Sequence, residues 1–258
     1  MIAVAYHYRK ALAKAVKMSK AKILVALDVA KLEDAKKLVN QLANEVFGFK
    51  VGLELCGAAG VPAVVDDISQ AGGSVFLDLK FKDIPNTVYG AVKACCRPGV
   101  FMLNVHCDGG KEMMKAAVRA ATESQTKPLL IGVTILTSID NQILNNELKI
   151  AGSLSDQAIH LALLARECGL NGVVCSPHEA TAIKSACGAD FITVVPGVRP
   201  SWASSGDQKR VMTPGEAARQ GADYLVIGRP ITNPPESIGT PSEAAKAIAQ
   251  EISLAITG

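Results

Sequence analysis

The stretch ILVALDVAKLEDAKKLVNQLANEV, residues 23–46, sets a short β-branched run directly against a longer amphipathic one, with Asp28 at the seam. ILVALD has the composition of a buried strand. EDAKKLVNQLANEV, from Glu33, repeats its apolar positions at helical spacing. A strand feeding straight into a helix is the βα unit of a parallel sheet. The competing arrangement is an open, doubly wound sheet, which usually carries a glycine-rich turn after its first strand; ALDVAKLED has no glycine.

The same alternation continues along the chain. Further strand candidates are FGFKVGLEL (47–55), SVFLDLK (74–80), FMLNVHC (101–107), LLIGVTIL (129–136), GVVCS (172–176), FITVVPG (191–197) and YLVIGR (224–229), with helical stretches between them and PSEAAKAIAQEISLAI after the last. With the first run this makes eight βα repeats and no linker, which predicts an α/β fold, a (β/α)8 TIM barrel over residues 23–258 in a single domain. Barrels of about 250 residues are usual, so 258 residues do not call for a second domain. Residues 1–22 read as a basic N-terminal extension. Two connections are long: 137–156, read as a lid or a short extra helix, and 199–214, between strands seven and eight.

Composition narrows the function. Hydrophobic residues make up 49% of the chain and aromatics 4%, which suits a large aliphatic core. No apolar run approaches the ~18 residues of a membrane span. The formal charge of +3 arises before the first acid, Asp28: Arg9, Lys10, Lys14, Lys17, Lys20 and Lys22 all precede it, and without them 21 basic residues face 24 acidic ones. The body is therefore not a nucleic-acid binder by charge. The extension is rich in Lys and poor in Arg and Ser, unlike a transit peptide, and MIAVAY is too short for a secretory core. Seven cysteines without a C-x-x-C or zinc-like spacing read as reduced residues of a cytoplasmic chain. His106, in LNVHCDGG, reads as a packed histidine, since no second His or carboxylate stands at ligand spacing.

The polar residues fall where a barrel does its chemistry. Asp28 ends the first strand, Lys50 lies in the second, Asp78 and Lys80 in the third, His106 near the end of the fourth, and Arg229 follows the eighth. Side chains at strand C-termini converge on the catalytic mouth. FLDLKFKDIPNT, residues 76–87, adds Lys82 and Asp83, and strand alternation puts Asp78 and Lys80 on one face with Phe76. Desolvating an ion costs several kcal/mol, so such charges need partners or a task. Beyond strands seven and eight, PGVRP (196–200), GDQKR (206–210) and IGRP (227–230) are suited to a phosphate: loops there commonly cradle one, and Arg229 can grip two oxygens.

ALD, FKVG, FLDLKFKDIPNT, NVH, TILTS, GVVCS, PGVRP, GDQKR and VIGRP, in this order from Ile23 to the C-terminus, resemble the orotidine 5'-monophosphate decarboxylases of bacterial type. The D-x-K-x-x-D triplet is shared with sugar-phosphate decarboxylases and synthases on the same barrel; DIPNT after it, with LTS and GRP, is specific. The resemblance implies decarboxylation of orotidine 5'-monophosphate to UMP in pyrimidine synthesis. It assigns Asp28 and Lys50 to the ribose hydroxyls, with Lys50 also in the charged network, Asp78 to the departing carboxylate and Lys80 to proton donation. Asp83, Ile84 and Thr87 are implied to enter a neighbouring subunit's site in a homodimer. Thr137 is the implied pyrimidine contact, and Pro196, Arg199, Gln208, Gly228 and Arg229 complete the substrate-binding set at the phosphate end.

Loss of carbon dioxide from C6 leaves an electron pair in the ring plane, out of reach of the π system. Most decarboxylases solve this with a cofactor electron sink or a metal. The sequence offers no evident site for either, so none is expected and the chain's own charges carry the chemistry. A related magnesium-dependent sugar-phosphate enzyme and a catalytically silent nucleotide-binding barrel are the alternatives.

Overall fold

A computed structural model describes residues 21–203 and 212–257. Eight parallel strands, β1 Lys22–Ala26, β2 Gly48–Val51, β3 Val75–Phe81, β4 Val100–His106, β5 Leu129–Val133, β6 Gly172–Val174, β7 Ile192–Pro196 and β8 Tyr224–Ile227, close into a barrel in chain order. Closure is the pairing of β1 with β8, from Lys22↔Tyr224 to Val25↔Ile227. Each strand falls within a sequence candidate or departs from it by a residue. Several ends move: β3 runs on to Phe81, β4 begins at Val100, and β1 and β5 stop at Ala26 and Val133, so that Asp28 lies beyond its strand. Lys22 belongs to β1 rather than to the extension, and GLEL is not strand: β2 stops at Val51, and Leu53–Ala59 is helix. Val51, Leu53 and Leu55 alternate with Gly52 and Glu54, a strand-like period-2 pattern too short to exclude the helix that starts at Leu53. No described helix is long and apolar enough to cross a membrane.

Two apolar layers hold the barrel. Leu24, Phe76, Met102, Ile131, Val194 and Tyr224 form a cluster of their own, drawn from six strands. A larger cluster joins the other strand residues, such as Val25, Leu77 and Leu103, to helix residues such as Val39, Ile68 and Ile248. The split is the period-2 alternation of strands whose two faces are both buried. At the N-terminal end, Phe47 and Tyr224 pack edge to face at 5.5 Å, with the Lys22 ammonium 4.4 Å from the Phe47 ring centre. Burial pushes the Tyr224 hydroxyl up to about 12 and lowers the Lys22 ammonium from its usual value.

The helices that bear on the site are α1 Leu32–Leu42, α2 Leu53–Ala59, α3 Val61–Gln70, α4 Pro85–Cys95, α5 Lys111–Glu123, α6 Leu154–Glu167, α7 Ala180–Cys187, α8 Pro214–Arg219, α9 Arg229–Thr232 and α10 Pro241–Thr257. Connection 137–156 carries a π turn, Ile143–Glu147, and Asp140 Oδ1 just before it accepts from Ile143 N. Asn145 Nδ2 donates to the carbonyls of Ile150 and Gly152, and Asn141 Oδ1 accepts from Leu154 N. Its polar residues therefore satisfy its own backbone. Of connection 199–214, the two ends are described: Arg199 N donates to Met212 O at 3.0 Å, and Thr213 caps α8 in a reciprocal box with Glu216. Gln208 and the rest of GDQKR lie outside the described residues, as do residues 1–20.

Candidate active site

The third strand builds the centre of the site by leaving the ladder. Leu77 pairs with Leu103 and Phe81 with Val105, so four steps on β3 match two on β4. Asp78, Leu79 and Lys80 form a bulge opposite the single Asn104. Lys80 takes a left-handed backbone, φ 50°, which costs a non-glycine residue about 1–2 kcal/mol. Asp78 and Lys80 meet through this bulge and not by simple alternation along a flat strand.

Four charges, from β2, β3 and the segment just beyond β1, converge there. Asp78 Oδ1 lies 2.7 Å from Lys80 Nζ, Asp78 Oδ2 lies 3.8 Å from Lys50 Nζ, and Lys50 Nζ is 2.6 Å from Asp28 Oδ1. The signs alternate from Asp28 through Lys50 and Asp78 to Lys80, so each interior charge faces opposite ones. Lys50 is only 9% exposed; Asp28, at the rim, is open to solvent. Gly52 keeps the space clear, since a Cβ there would stand 3.2 Å from Lys50 Nζ.

Asn104, absent from the sequence reading, belongs to this network. It is fully buried, its Nδ2 donates to Asp78 Oδ1 at 2.7 Å, and its Oδ1 accepts from Lys80 N at 2.7 Å. The available signal was an amide inside the apolar strand FMLNVH. Beside it, His106 Nδ1 lies 3.7 Å from Asp108 Oδ1, and Asp108 Oδ2 is 2.6 Å from Lys82 Nζ. The histidine thus has a carboxylate neighbour two residues on. Burial lowers its pKa, with Asp108 opposing that shift.

Asp83 does not join the charged cluster of its own chain. Its Oδ1 accepts from Ile84 N at 2.6 Å, and residues 82–87 are all exposed, Ile84 at 68%. Thr87 lies in the first turn of α4.

The other half of the mouth is a cleft of about 340 Å³ whose lining includes Thr137, Asp140, Ser176, Glu179, Pro196 and Arg229. It gathers residues after β5, β6, β7 and β8, whereas the charged network comes from the β1–β4 side. Gly228 joins the halves: a Cβ there would lie 3.8 Å from Asp28 Oδ2. Arg229 opens α9 behind Gly228, and Arg199, 8% exposed, leaves its Nε without a hydrogen-bond partner. Among the described residues no group of three or more His, Cys, Asp or Glu side chains is arranged to hold a metal, and all seven cysteines are free.

This barrel and its motifs have close counterparts. An orotidine 5'-phosphate decarboxylase of Moorella thermoacetica is 53% identical over 241 residues, covering 92% of this chain and 94% of the relative. The crystal structure of the orotidine 5'-phosphate decarboxylase from Lactobacillus acidophilus superposes with a TM-score of 0.77 at 36% identity, covering 90% of this chain and 98% of that one. The corresponding structure from Pyrococcus horikoshii gives 0.71 at 25% identity, covering 89% and 98%. The family model described as Orotidine 5'-phosphate decarboxylase / HUMPS matches residues 21–248, from the first described residue to the middle of α10, and the chain belongs to that family.

Proposed function

We propose that the reaction of this family, loss of carbon dioxide from orotidine 5'-monophosphate to give UMP, runs in this chain through Lys80, with Asp78, Lys50 and Asp28 holding its charge in place. The observation that carries the reading is the alternating cluster at the C-terminal mouth, with Lys80 Nζ 2.7 Å from Asp78 Oδ1. The bond from C6 to the carboxylate carbon breaks, its electron pair stays on C6, and neutral carbon dioxide leaves. An ammonium about 4 Å from that pair contributes around 4 kcal/mol at an effective dielectric near 20. The same ammonium then delivers the proton that forms the C6–H bond and is restored from solvent. Asp78 holds the Lys80 ammonium in place, and its repulsion of the substrate carboxylate vanishes as carbon dioxide departs. Enzymatic accelerations amount to about 8–23 kcal/mol, so one lysine does not supply the whole. Binding of the rest of the nucleotide holds the charges in their costly arrangement.

In this reading Asp28 and Lys50 bind the ribose hydroxyls, Thr137 the pyrimidine, and Pro196, Arg199, Gln208, Gly228 and Arg229 the phosphate end. The buried Arg199 Nε without a partner supports an anion there. The reading needs no cofactor and no metal. It also makes the working unit a cytoplasmic homodimer in which Asp83, Ile84 and Thr87 serve the neighbouring subunit's site. Support comes from the position of these residues: 82–87 are all exposed, and Asp83 makes its hydrogen bond to Ile84 N and not to the charged cluster of its own chain.

The test is the ultraviolet absorbance of orotidine 5'-monophosphate with purified protein in the presence of a chelator. Wild-type protein converts it to UMP and Lys80→Ala, though folded, does not. Turnover by Lys80→Ala at near wild-type rate removes the lysine from the role, and a wild type that leaves the nucleotide unchanged defeats the reading.

A further inference from the structure

We propose that Asn104 is a positioning residue of this site: its single amide locks the Asp78 carboxylate to the Lys80 backbone, so that the Lys80 ammonium is presented in one direction. The proposal rests on the reading of Lys80 as proton donor given above.

Asn104 uses both ends of its side chain inside the bulge, Nδ2 toward Asp78 Oδ1 and Oδ1 toward Lys80 N, each at 2.7 Å. The register shift between Leu77 and Phe81 takes Lys80 out of the regular ladder pairs with β4. A buried N–H left unpaired is costly, and the Asn104 carbonyl oxygen takes it. That bond also holds the left-handed Lys80 backbone, φ 50°, from which the side chain departs. At the other end, the amide N–H2 fixes the rotation of the Asp78 carboxyl. Oδ1 takes two donors, Asn104 Nδ2 and Lys80 Nζ, while Lys50 Nζ stands 3.8 Å from Oδ2. Without the amide, the carboxylate is free to turn toward either lysine.

The position asks for one acceptor and one donor at fixed separation. Leucine supplies neither. An ionised aspartate accepts but does not donate, and it sets a second carboxylate against Asp78. Glutamine carries an extra methylene into a site with no exposed surface. The charged and titratable groups around the amide are Asp78 and Lys80 from β3, Lys50 from β2, Asp28 beyond β1 and His106 on β4 itself, with Asp108 against that histidine.

The experiment compares Asn104→Asp and Asn104→Ala with wild type in the full chain, following kcat and KM for orotidine 5'-monophosphate across pH, with thermal melting as the measure of folding. Both variants lose kcat by roughly 100-fold, the scale of a displaced reacting group. KM stays within a few-fold, because the phosphate end is untouched. In Asn104→Asp the paired carboxylates share a proton, and the acidic limb of the kcat profile moves up by about one pH unit or more, a shift that Asn104→Ala lacks. A folded variant with wild-type kcat overturns the proposal, as do parallel losses in kcat and KM with an unmoved profile. If neither variant folds, Asn104 is a folding residue and the proposal fails. Wild-type inactivity, or activity of Lys80→Ala, defeats the underlying reading; an inactive Lys80→Ala beside an unaffected Asn104→Asp defeats only the assignment of Asn104.

Discussion

Asp78 stands between two lysines unequally: its Oδ1 contacts Lys80 Nζ at 2.7 Å, and its Oδ2 lies 3.8 Å from Lys50 Nζ. The closer lysine is the one on the same bulge, and the farther one is already held by Asp28 at 2.6 Å. The pairing leaves Lys80 with one acidic neighbour and an open side toward the mouth, the arrangement a proton donor needs.

Asp78→Asn removes the charge while keeping the shape. Lys50 and Lys80 then share a small volume without the anion between them. We expect kcat to fall by about two orders of magnitude or more, in line with removal of one preorganised electrostatic group. The stability loss should stay below the 3–5 kcal/mol of a broken, fully buried pair, since the Lys80 side chain is 30% exposed. Single-turnover rates and urea denaturation measure the two; unchanged kcat would mean that the anion between the lysines is dispensable.

Arg229→Ala tests the phosphate end. A lost charge-assisted contact of about 1.5–3 kcal/mol weakens binding of the nucleotide roughly 10- to 100-fold. Orotidine, which lacks the phosphate, should bind the variant as it binds wild type. Calorimetry with both ligands decides it, and equal losses place Arg229 elsewhere.

Mixing Asp83→Ala with Lys80→Ala subunits tests sharing across a dimer. Each variant alone is inactive. In a heterodimer with shared sites, one site carries both defects and the other carries none, so an equal mixture recovers roughly a quarter of wild-type activity. Absence of recovery, with heterodimers verified by mass, shows that Asp83 serves its own chain or none.

His106 sets a pH dependence of stability. Burial depresses its folded-state pKa below the usual 6.5, and the nearby Asp108 opposes this only in part. Below about pH 6.5 the unfolded chain takes up a proton that the folded chain does not, so stability falls as pH drops from there to the folded-state value. His106→Gln should flatten the stability curve between about pH 7 and 5. Parallel slopes for variant and wild type in denaturant titrations at both ends would contradict this.

Much of this architecture is legible in the chain itself. Alternating β-branched and amphipathic runs mark all eight strands, because strands buried on both faces carry continuous apolar runs that turns and charges delimit. Asp28, Lys50, Asp78 and Lys80 stand out because charge is rare inside such runs. The bulge does not, since a register shift depends on how β3 meets β4 and leaves no local mark in FLDLKF. Asn104 escapes for the same reason: its worth comes from two partners 24 and 26 residues away. Leu53–Leu55 are misread as strand because Val51, Leu53 and Leu55 alternate with Gly52 and Glu54, and Lys22 is misplaced because a lysine among the basic residues preceding Asp28 gives no hint of pairing with Tyr224.

Because Asp78, Leu79 and Lys80 hold none of the ladder pairs, which pass from Leu77↔Leu103 directly to Phe81↔Val105, the barrel closes without them. Leu79 still anchors the segment by packing against the core, while Asp78 and Lys80 hang free of the ladder on either side of it. The backbone hydrogen bonds that set strand tilt and stagger are thus made on either side of the three residues, which leaves the two charged side chains to be fixed by Asn104 and by each other.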